Sequence, residues 1–403
     1  MNWEAGNLKL LYLTFQEDSV LYAGVVKKIR GQSAAFSKLG FHVTYSLWSG
    51  NDFRFYGSNP NTIPISAEHG RMKRFYEIAA EHLRHHAYHV LYVRLDMIDF
   101  GVIRLFRTAR ASGVQKIIVE IPNYPYLDTY RNSSRFIENK AKRLISTAKV
   151  NLRAMQDELA GPKLQGLCDA VILFGDNAIS FYGVKAMNAT NGIDCAALSA
   201  VPWPKSGSVI QIIGVAGTLW WQAYDRVLHG MQQYYQTHPQ PEFDFHFTLV
   251  GGDAKEMPDF RKTIAELGLQ NRVDLPGFQT GDELQRFYDR SDVGISSLGC
   301  FRRGITRCSS LKAREYAAVG LPFLYAYDDE SLRGDAAWAL RVPNDDTPVN
   351  MEQLAQFVQT CRRDPRIVIE EREFAEETYD WTAILHDFLI FSGFEFPPLS
   401  SQP

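Results

Sequence analysis

Arg302, Arg303, Arg307, Lys312 and Glu315 crowd one stretch of the chain, DVGISSLGCFRRGITRCSSLKAREYAAVGLPFLYAY from Asp292 to Tyr327. Cations at that density suit an anionic ligand, and the elements around them suit one further. The pattern predicts a strand from Val293 to Ser297, a loop holding the paired arginines, a helix reading SSLKAREYAAVG, and a second strand after Leu321 and Pro322. Strand, loop, helix and strand in that order make a βαβ unit whose helix N-terminus faces the crevice beyond the carboxyl edge of the sheet. Free N–H groups and the helix dipole attract phosphate there, and Arg302, Arg303 and Lys312 add full positive charge. The expected ligand is a phosphorylated small molecule. Within the helix, Leu311, Glu315 and Ala318 or Val319 fall near one face, and Lys312 and Tyr316 stack on a neighbouring one.

The rest of the chain must position this unit. At 403 residues and 45% apolar composition it predicts about two domains with sizeable cores. A net charge of −3 argues against a general nucleic-acid binder. Cys168, Cys195, Cys300, Cys308 and Cys361 form no CxxC pair and are odd in number, which suggests neither a zinc site nor a disulfide framework and fits a reducing cytoplasm. No apolar run approaches the length of a membrane span, so a soluble or peripherally bound protein is expected.

Strand and helix patterns alternate from Leu8 onward. Leu8 to Phe15 reads as a buried strand, Leu21 to Gly24 as a loop, Val25 to Leu39 as a helix closed by Gly40, and Phe41 to Leu47 as the next strand. Gly24 either lets backbone approach a phosphate or sugar, or makes a tight turn. Further on come a helix from Tyr76 to His86, a strand from Val90 to Leu95 carrying Arg94 at its end, a helix from Phe100 to Ser112, and a strand from Lys116 to Glu120. The loop IPNYPYLDTY follows, stiffened by prolines, with Tyr124 and Tyr126 either lining a crevice or packing beneath the surface. From Arg131 to Arg153 seven basic residues face Glu138 alone, while Ile137, Ala141, Leu144, Ile145, Ala148 and Leu152 recur at helical spacing. Such a helix rests on anionic lipid, or packs its apolar stripe on the core and leaves a solvated basic face.

A strand from Asp169 to Phe174 and an Asn191-Gly192 turn complete one doubly wound parallel domain, and Pro202, Pro204, Ser206 and Ser208 mark a linker. A second alternating series begins at Val209, with glycines at strand ends where a nucleotide could approach backbone: Gly217, Gly251-Gly252 and Gly277. Phe374 to Phe394 closes the chain with an apolar helical pattern that includes Tyr379, Asp380 and Trp381.

The segment SSLKAREYAAVGLPF resembles the helix that carries the donor-binding glutamate of the family 4 retaining glycosyltransferases, especially the branch building bacterial surface polysaccharides such as capsule and exopolysaccharide. AGVVKKIRGQSAAFSKLGFHV resembles their first loop and helix, and the likeness extends over nearly the whole chain, most strongly over residues 209 to 327. It implies the GT-B architecture: α/β, with two doubly wound Rossmann-like domains facing across a cleft. Residues 1–200 would be the acceptor domain, joined by a C-terminal helix over 376–403 that crosses back. Residues 207–375 would bind the donor. By resemblance Glu315 accepts hydrogen bonds from the nucleotide ribose, Phe278 lies beside the base and Gly217 beside the phosphates. The donor set is completed by Gly24, Arg226, Arg302, Arg303, Arg307, Ser310 and Lys312. Lys28, Arg94, Tyr124 and Tyr126 fall on the acceptor side. Glu120, Arg303, Lys312 and Glu315 are the candidate catalytic residues.

The implied chemistry is hexosyl transfer from a nucleotide diphosphate sugar to a hydroxyl of a glycan or lipid-linked acceptor, with anomeric retention. No cofactor and no metal are expected, because protein cations can stabilise the departing diphosphate. The expected location is cytoplasmic, with peripheral contact to the inner face of the plasma membrane through 131–153. Two departures from the family pattern are plain. Arg307 occupies the position of the first of two glutamates, and Thr218 and Gln222 stand near where an arginine and a lysine commonly grip the diphosphate. Arg226, Arg303 and Lys312 are the expected replacements. The departures also leave room for a catalytically silent module that binds a nucleotide sugar or a partner, and for an epimerase of the same architecture.

Overall fold

The computed structural model describes residues 8–19, 22–65, 70–127, 140–175, 177–216, 220–251, 258–332 and 336–395. Gly217 and Thr218, and residues 131–139 of the basic segment, lie outside them. The chain forms two compact units, residues 1–190 with 381–403, and residues 191–380.

Unit 1 is built on a nine-stranded sheet in the order β4-β3-β2-β1-β5-β6-β7-β9-β8. Its parallel centre comprises β1 (Leu8–Thr14), β2 (Phe41–Ser49), β5 (Val90–Arg94), β6 (Lys116–Tyr124), β7 (Ala170–Gly175) and β9 (Val184–Ala189). Both faces of β1 are buried, as the near-continuous apolar run LKLLYLT requires. Leu10 and Tyr12 pack with α1 (Ala23–Lys38) and the last helix, Trp381–Phe391, while Leu11 and Leu13 pack on the side of α2 (Arg71–His85) and α3 (Phe100–Ala111). Gly31 lets α1 meet the last helix closely: a Cβ there would lie 3.1 Å from the Trp381 ring. The sheet edge holds what the alternating pattern left unread, β3 (Asp52–Gly57) and β4 (Asn61–Pro64), an antiparallel extension of β2. At the other edge β8 (Ser180–Phe181) pairs antiparallel with β9. Several expected boundaries move. The β6 strand runs on to Tyr124 rather than stopping at Glu120, and α2 starts at Arg71 instead of Tyr76.

The basic helix, α4 (Lys140–Ala160), does not have the core-facing apolar stripe that is one of its two readings. Its buried residues are Ala154, Asp157 and Ala160, while Leu144 and Leu152 are 72% and 52% exposed. Asp157 is what the unit takes in. Its carboxylate accepts from the Ile98 backbone N–H at 2.6 Å and from the hydroxyls of Tyr126 at 2.5 Å and Tyr182 at 2.8 Å. A carboxylate so saturated with donors can be buried.

Unit 2 contains a six-stranded, all-parallel sheet in the order β12-β11-β10-β13-β14-β15. The strands are β10 (Val209–Val215), β11 (Asp244–Val250), β12 (Val273–Gly277), β13 (Val293–Ile295), β14 (Phe323–Tyr325) and β15 (Ala339–Arg341). Around them lie α5 (Asp225–Thr237), α6 (Pro258–Glu266), α7 (Gly281–Arg290), α8 (Leu311–Val319), α9 (Met351–Arg363) and α10 (Arg366–Thr378). The single C-terminal helical pattern read from the sequence is thus two helices, broken at Tyr379 and Asp380. Asp380 bridges to Ile193 there, and Tyr379 accepts from the Ile193 N–H. Two buried ion pairs fasten the unit, Arg314 with Asp329 at 2.7 Å and Arg362 with Asp292 at 2.9 Å.

Glu371 on α10 is fully buried, and neither carboxyl oxygen has a hydrogen-bond partner. Burial pushes its pKa well above the ordinary carboxylate range. An acid raised in the fold contributes most below its unfolded pKa of about 4.3; stability then falls as pH rises toward the folded value, by up to about 1.4 kcal/mol per pH unit. Glu371→Leu is expected to flatten that slope and to raise stability at neutral pH by about 1–3 kcal/mol. Urea unfolding of both proteins in mildly acidic and in neutral buffer checks it; parallel slopes would show that Glu371 ionises freely.

Candidate functional site

The strand order of unit 2 reverses at β10, which has β11 on one side and β13 on the other. A crevice outside the carboxyl ends follows from such a reversal, and the polar side chains converge there. Lys312, in the first turn of α8, donates from Nζ to Ser297 Oγ at 3.2 Å and to Gln222 Oε1. Ser297, two residues past the end of β13, donates to the same Gln222 oxygen at 3.1 Å. Gln222 closes a single helical turn, Trp220–Gln222, and is followed by Ala223 at φ 51°, a left-handed conformation rare for a residue with a side chain. Such strain persists where the surroundings over-determine it, and Ala223 is buried. Gly299 permits the approach from the opposite loop: a Cβ there would fall 2.6 Å from the Trp221 carbonyl oxygen.

Ser310 precedes α8 in extended backbone and makes no side-chain cap. Its hydroxyl instead accepts from Ser296 Oγ at 3.1 Å. The first-turn N–H groups of α8 therefore lack that side-chain acceptor and keep their attraction for an anion. Tyr316 Oη accepts from the Val215 N–H and donates to the Ile295 carbonyl, both at 3.2 Å, so it locks the ends of β10 and β13 together. Burial pulls the Lys312 ammonium down to about 8, against the pull of the Cys300 and Cys308 thiols. A polyanion beside it would restore the charge.

The other expected donor residues divide into those that remain at this edge and those held elsewhere. Arg303 is half-buried with its guanidinium 5.5 Å from the centre of the Trp221 ring. Glu315, one turn beyond Lys312, lies against the buried Tyr288 hydroxyl. Phe278 is 45% exposed just past the carboxyl end of β12. Arg226 is different: its guanidinium is 1% exposed and donates to the carbonyls of Leu298, Thr347 and Pro343 at 2.6, 2.7 and 3.0 Å. It orders the loops around the site and is not placed to neutralise a phosphate, which corrects the sequence expectation. Arg302 likewise grips Asp225 through two bonds of 3.0 and 2.7 Å and Asp346 through two of 3.2 and 2.7 Å, fastening its loop to the start of α5. Arg307, at the absent glutamate's position, is exposed and pairs with Glu330 at 2.7 Å. Gly24, finally, is in unit 1, exposed in the first turn of α1 rather than in a preceding loop.

In unit 1, Glu120 is 0% exposed and has four partners: Lys28 at 3.0 Å, Arg94, Tyr92 Oη at 2.7 Å and Gln32 Nε2 at 2.9 Å. Burial works to raise its carboxyl, but the charges of Lys28 and Arg94 and the hydrogen bonds hold it at about 2. Lys28 also sits 3.6 Å from the centre of the Phe174 ring. Of the acceptor-side candidates only Arg94 lines the crevice at the carboxyl ends of β1 and β5, a space of about 90 Å³ bounded also by Gln16, Tyr76, Asp96, Asp99, Arg153 and Gln156. Tyr126 is turned inward to Asp157, and Tyr124 packs edge-on to Phe181 at 6.1 Å. Sequence reading missed Ser297 and Gln222 as partners of Lys312. The small polar pair at the end of a strand was a signal for Ser297; for Gln222 the signal was its place near the expected diphosphate grip, ninety positions from the lysine it meets.

Two doubly wound parallel-sheet units of this kind make the GT-B fold. Residues 210–354 match the family model described as "Glycosyl transferases group 1", which marks that part of unit 2 as a glycosyltransferase domain. Among solved structures the chain is similar to sucrose-phosphate synthase from Thermosynechococcus elongatus, at 14% identity and TM-score 0.61, over 96% of this chain and 98% of the other. It is also similar to WaaG, a glycosyltransferase involved in lipopolysaccharide biosynthesis, at 13% identity and TM-score 0.60, over 96% and 100%. Anabaena HepE, solved in complex with UDP, aligns at 12% identity and TM-score 0.55, over 95% and 98%. No curated protein shows significant sequence similarity. At these identities the structural likeness establishes the fold, and the chemistry must be argued from the site.

Proposed function

We propose that the protein transfers a hexosyl group from a nucleotide diphosphate sugar to an acceptor hydroxyl with anomeric retention. The acceptor in this reading is a lipid-linked or polysaccharide precursor of a bacterial surface glycan. The observation that carries the reading is the cluster of Lys312, Ser297 and Gln222 beside the N-terminus of α8, inside the segment that matches the glycosyltransferase family. As the glycosidic bond to the donor breaks, negative charge grows on the leaving diphosphate. Lys312, Arg303 and the α8 N–H groups are fixed in advance to meet it, which lowers the barrier without reorganisation. Glu315 binds the ribose and Phe278 stacks near the base. The leaving phosphate takes the proton of the attacking hydroxyl on the same face of the sugar, which gives retention. Protein cations supply the stabilisation, with no metal in the step.

The test is thermal stabilisation by a panel of nucleoside diphosphates and their sugars, UDP among them, followed by donor hydrolysis for each binder. Saturation at one hundred times the dissociation constant is expected to stabilise the fold by about 2.7 kcal/mol. Binding with slow release of nucleoside diphosphate supports a transferase. Binding without turnover, with lipid-linked acceptors supplied, would favour a silent module.

A further inference from the structure

Helix α4 is amphipathic in the wrong sense for a helix that merely covers a core. Leu144, Ile145, Leu152, Met155 and Leu159 recur on one side and are 51–72% exposed. Ala154 and Asp157, which are buried, lie on the opposite side by the 3.6-residue winding. The Asp157 contacts with Ile98, Tyr126 and Tyr182 fix the rotation of the helix, so the outward stripe is held there by the fold. Five cations, Lys140, Lys142, Arg143, Lys149 and Arg153, accompany it on exposed positions of the same helix.

We infer that α4 docks the chain on an anionic lipid bilayer, its leucine stripe entering the interface while the flanking lysines meet the headgroups. Charge complementarity selects this occupant. A second copy seated stripe to stripe would bring two five-cation helices together, whereas an anionic bilayer offers both apolar depth and negative charge. The helix also places the crevice of unit 1 beside that surface, because Gln156, which borders the stripe, and Arg153, nearer the buried side, both line the crevice. An amphiphile could then keep its tail in the bilayer while its polar head enters between β1 and β5. The docking surface stands on its own geometry; its service to a lipid-linked acceptor rests on the proposed transfer reaction.

The experiment is flotation of the full chain with phosphatidylcholine vesicles, plain or containing about one third phosphatidylglycerol, at low and high salt. Binding to the anionic vesicles is expected to exceed that to the plain ones by about tenfold or more and to weaken with salt. The pairs Ile145→Ser with Leu152→Ser, and Lys140→Glu with Lys149→Glu, are each expected to lower it about tenfold or more with unchanged melting temperature, since all four residues are exposed. Equal binding to both vesicles, binding unaffected by either pair, or a concentration-dependent dimer abolished by the serine pair would each overturn the inference. Nucleotide-induced thermal shifts on the same samples separate its failure from failure of the donor reading: they are expected to survive both substitutions.

Discussion

Lys312→Met is expected to lower the rate of sugar transfer by about 10²–10³, the range seen when one preorganised donor to a developing oxyanion is removed. The isosteric apolar stem preserves packing beside Tyr224, whose ring centre lies 5.8 Å from Nζ, so the melting temperature should stay close to that of the parent. A second signature follows from the depressed pKa. Because the unliganded amine titrates at about 8, nucleotide affinity should fall as pH rises beyond that value, and the Met variant should lose the dependence. Initial rates with the donor found in the nucleotide panel, and binding isotherms on either side of that pKa, measure both. Transfer within a few-fold of the parent would sink the role assigned to Lys312 and return attention to Arg303.

Glu120→Ala should produce the largest loss of stability, about 3–5 kcal/mol, because it leaves Lys28 and Arg94 as uncompensated charges in the interior. The pH dependence has a defined sign. A carboxylate whose folded pKa is depressed to about 2 contributes stability above its unfolded value of about 4.3 and loses it as pH falls through the folded one. The parent is therefore expected to weaken across that acidic window, and the variant to show less of that loss. Urea unfolding at neutral pH and across the window reads this. A difference below about 1 kcal/mol, together with a collapse in transfer, would instead give Glu120 a direct part in the reaction.

The alternation of short apolar runs with helical patterns was enough to identify two parallel, doubly wound layers, because strands covered on both faces carry continuous hydrophobic sequence. β1 and β10 are examples. The antiparallel extension of β3 and β4 was not legible, since strands of six and four residues are too short a run for a clear periodic signature. The helix holding Lys312 and Glu315 was readable because strand, loop, helix and strand are contiguous along the chain. Its ligand contacts were less so.

Three outcomes were decided only by tertiary structure. Arg226, Arg302 and Lys312 are all cations near strand ends, yet backbone carbonyls claim the first and carboxylates the second, while Lys312 meets a hydroxyl and a side-chain amide. Charge type is local in sequence, whereas the availability of a charge depends on what long-range neighbours accept its hydrogen bonds. Glu120 could be read at a strand end, but its partners Lys28 and Gln32 are brought to it from α1, at least eighty-eight positions away. In α4 the sequence determined the stripe and its period; it did not determine which side turns inward. Three donors from distant segments made Asp157 the buried residue, and the leucines were left outside.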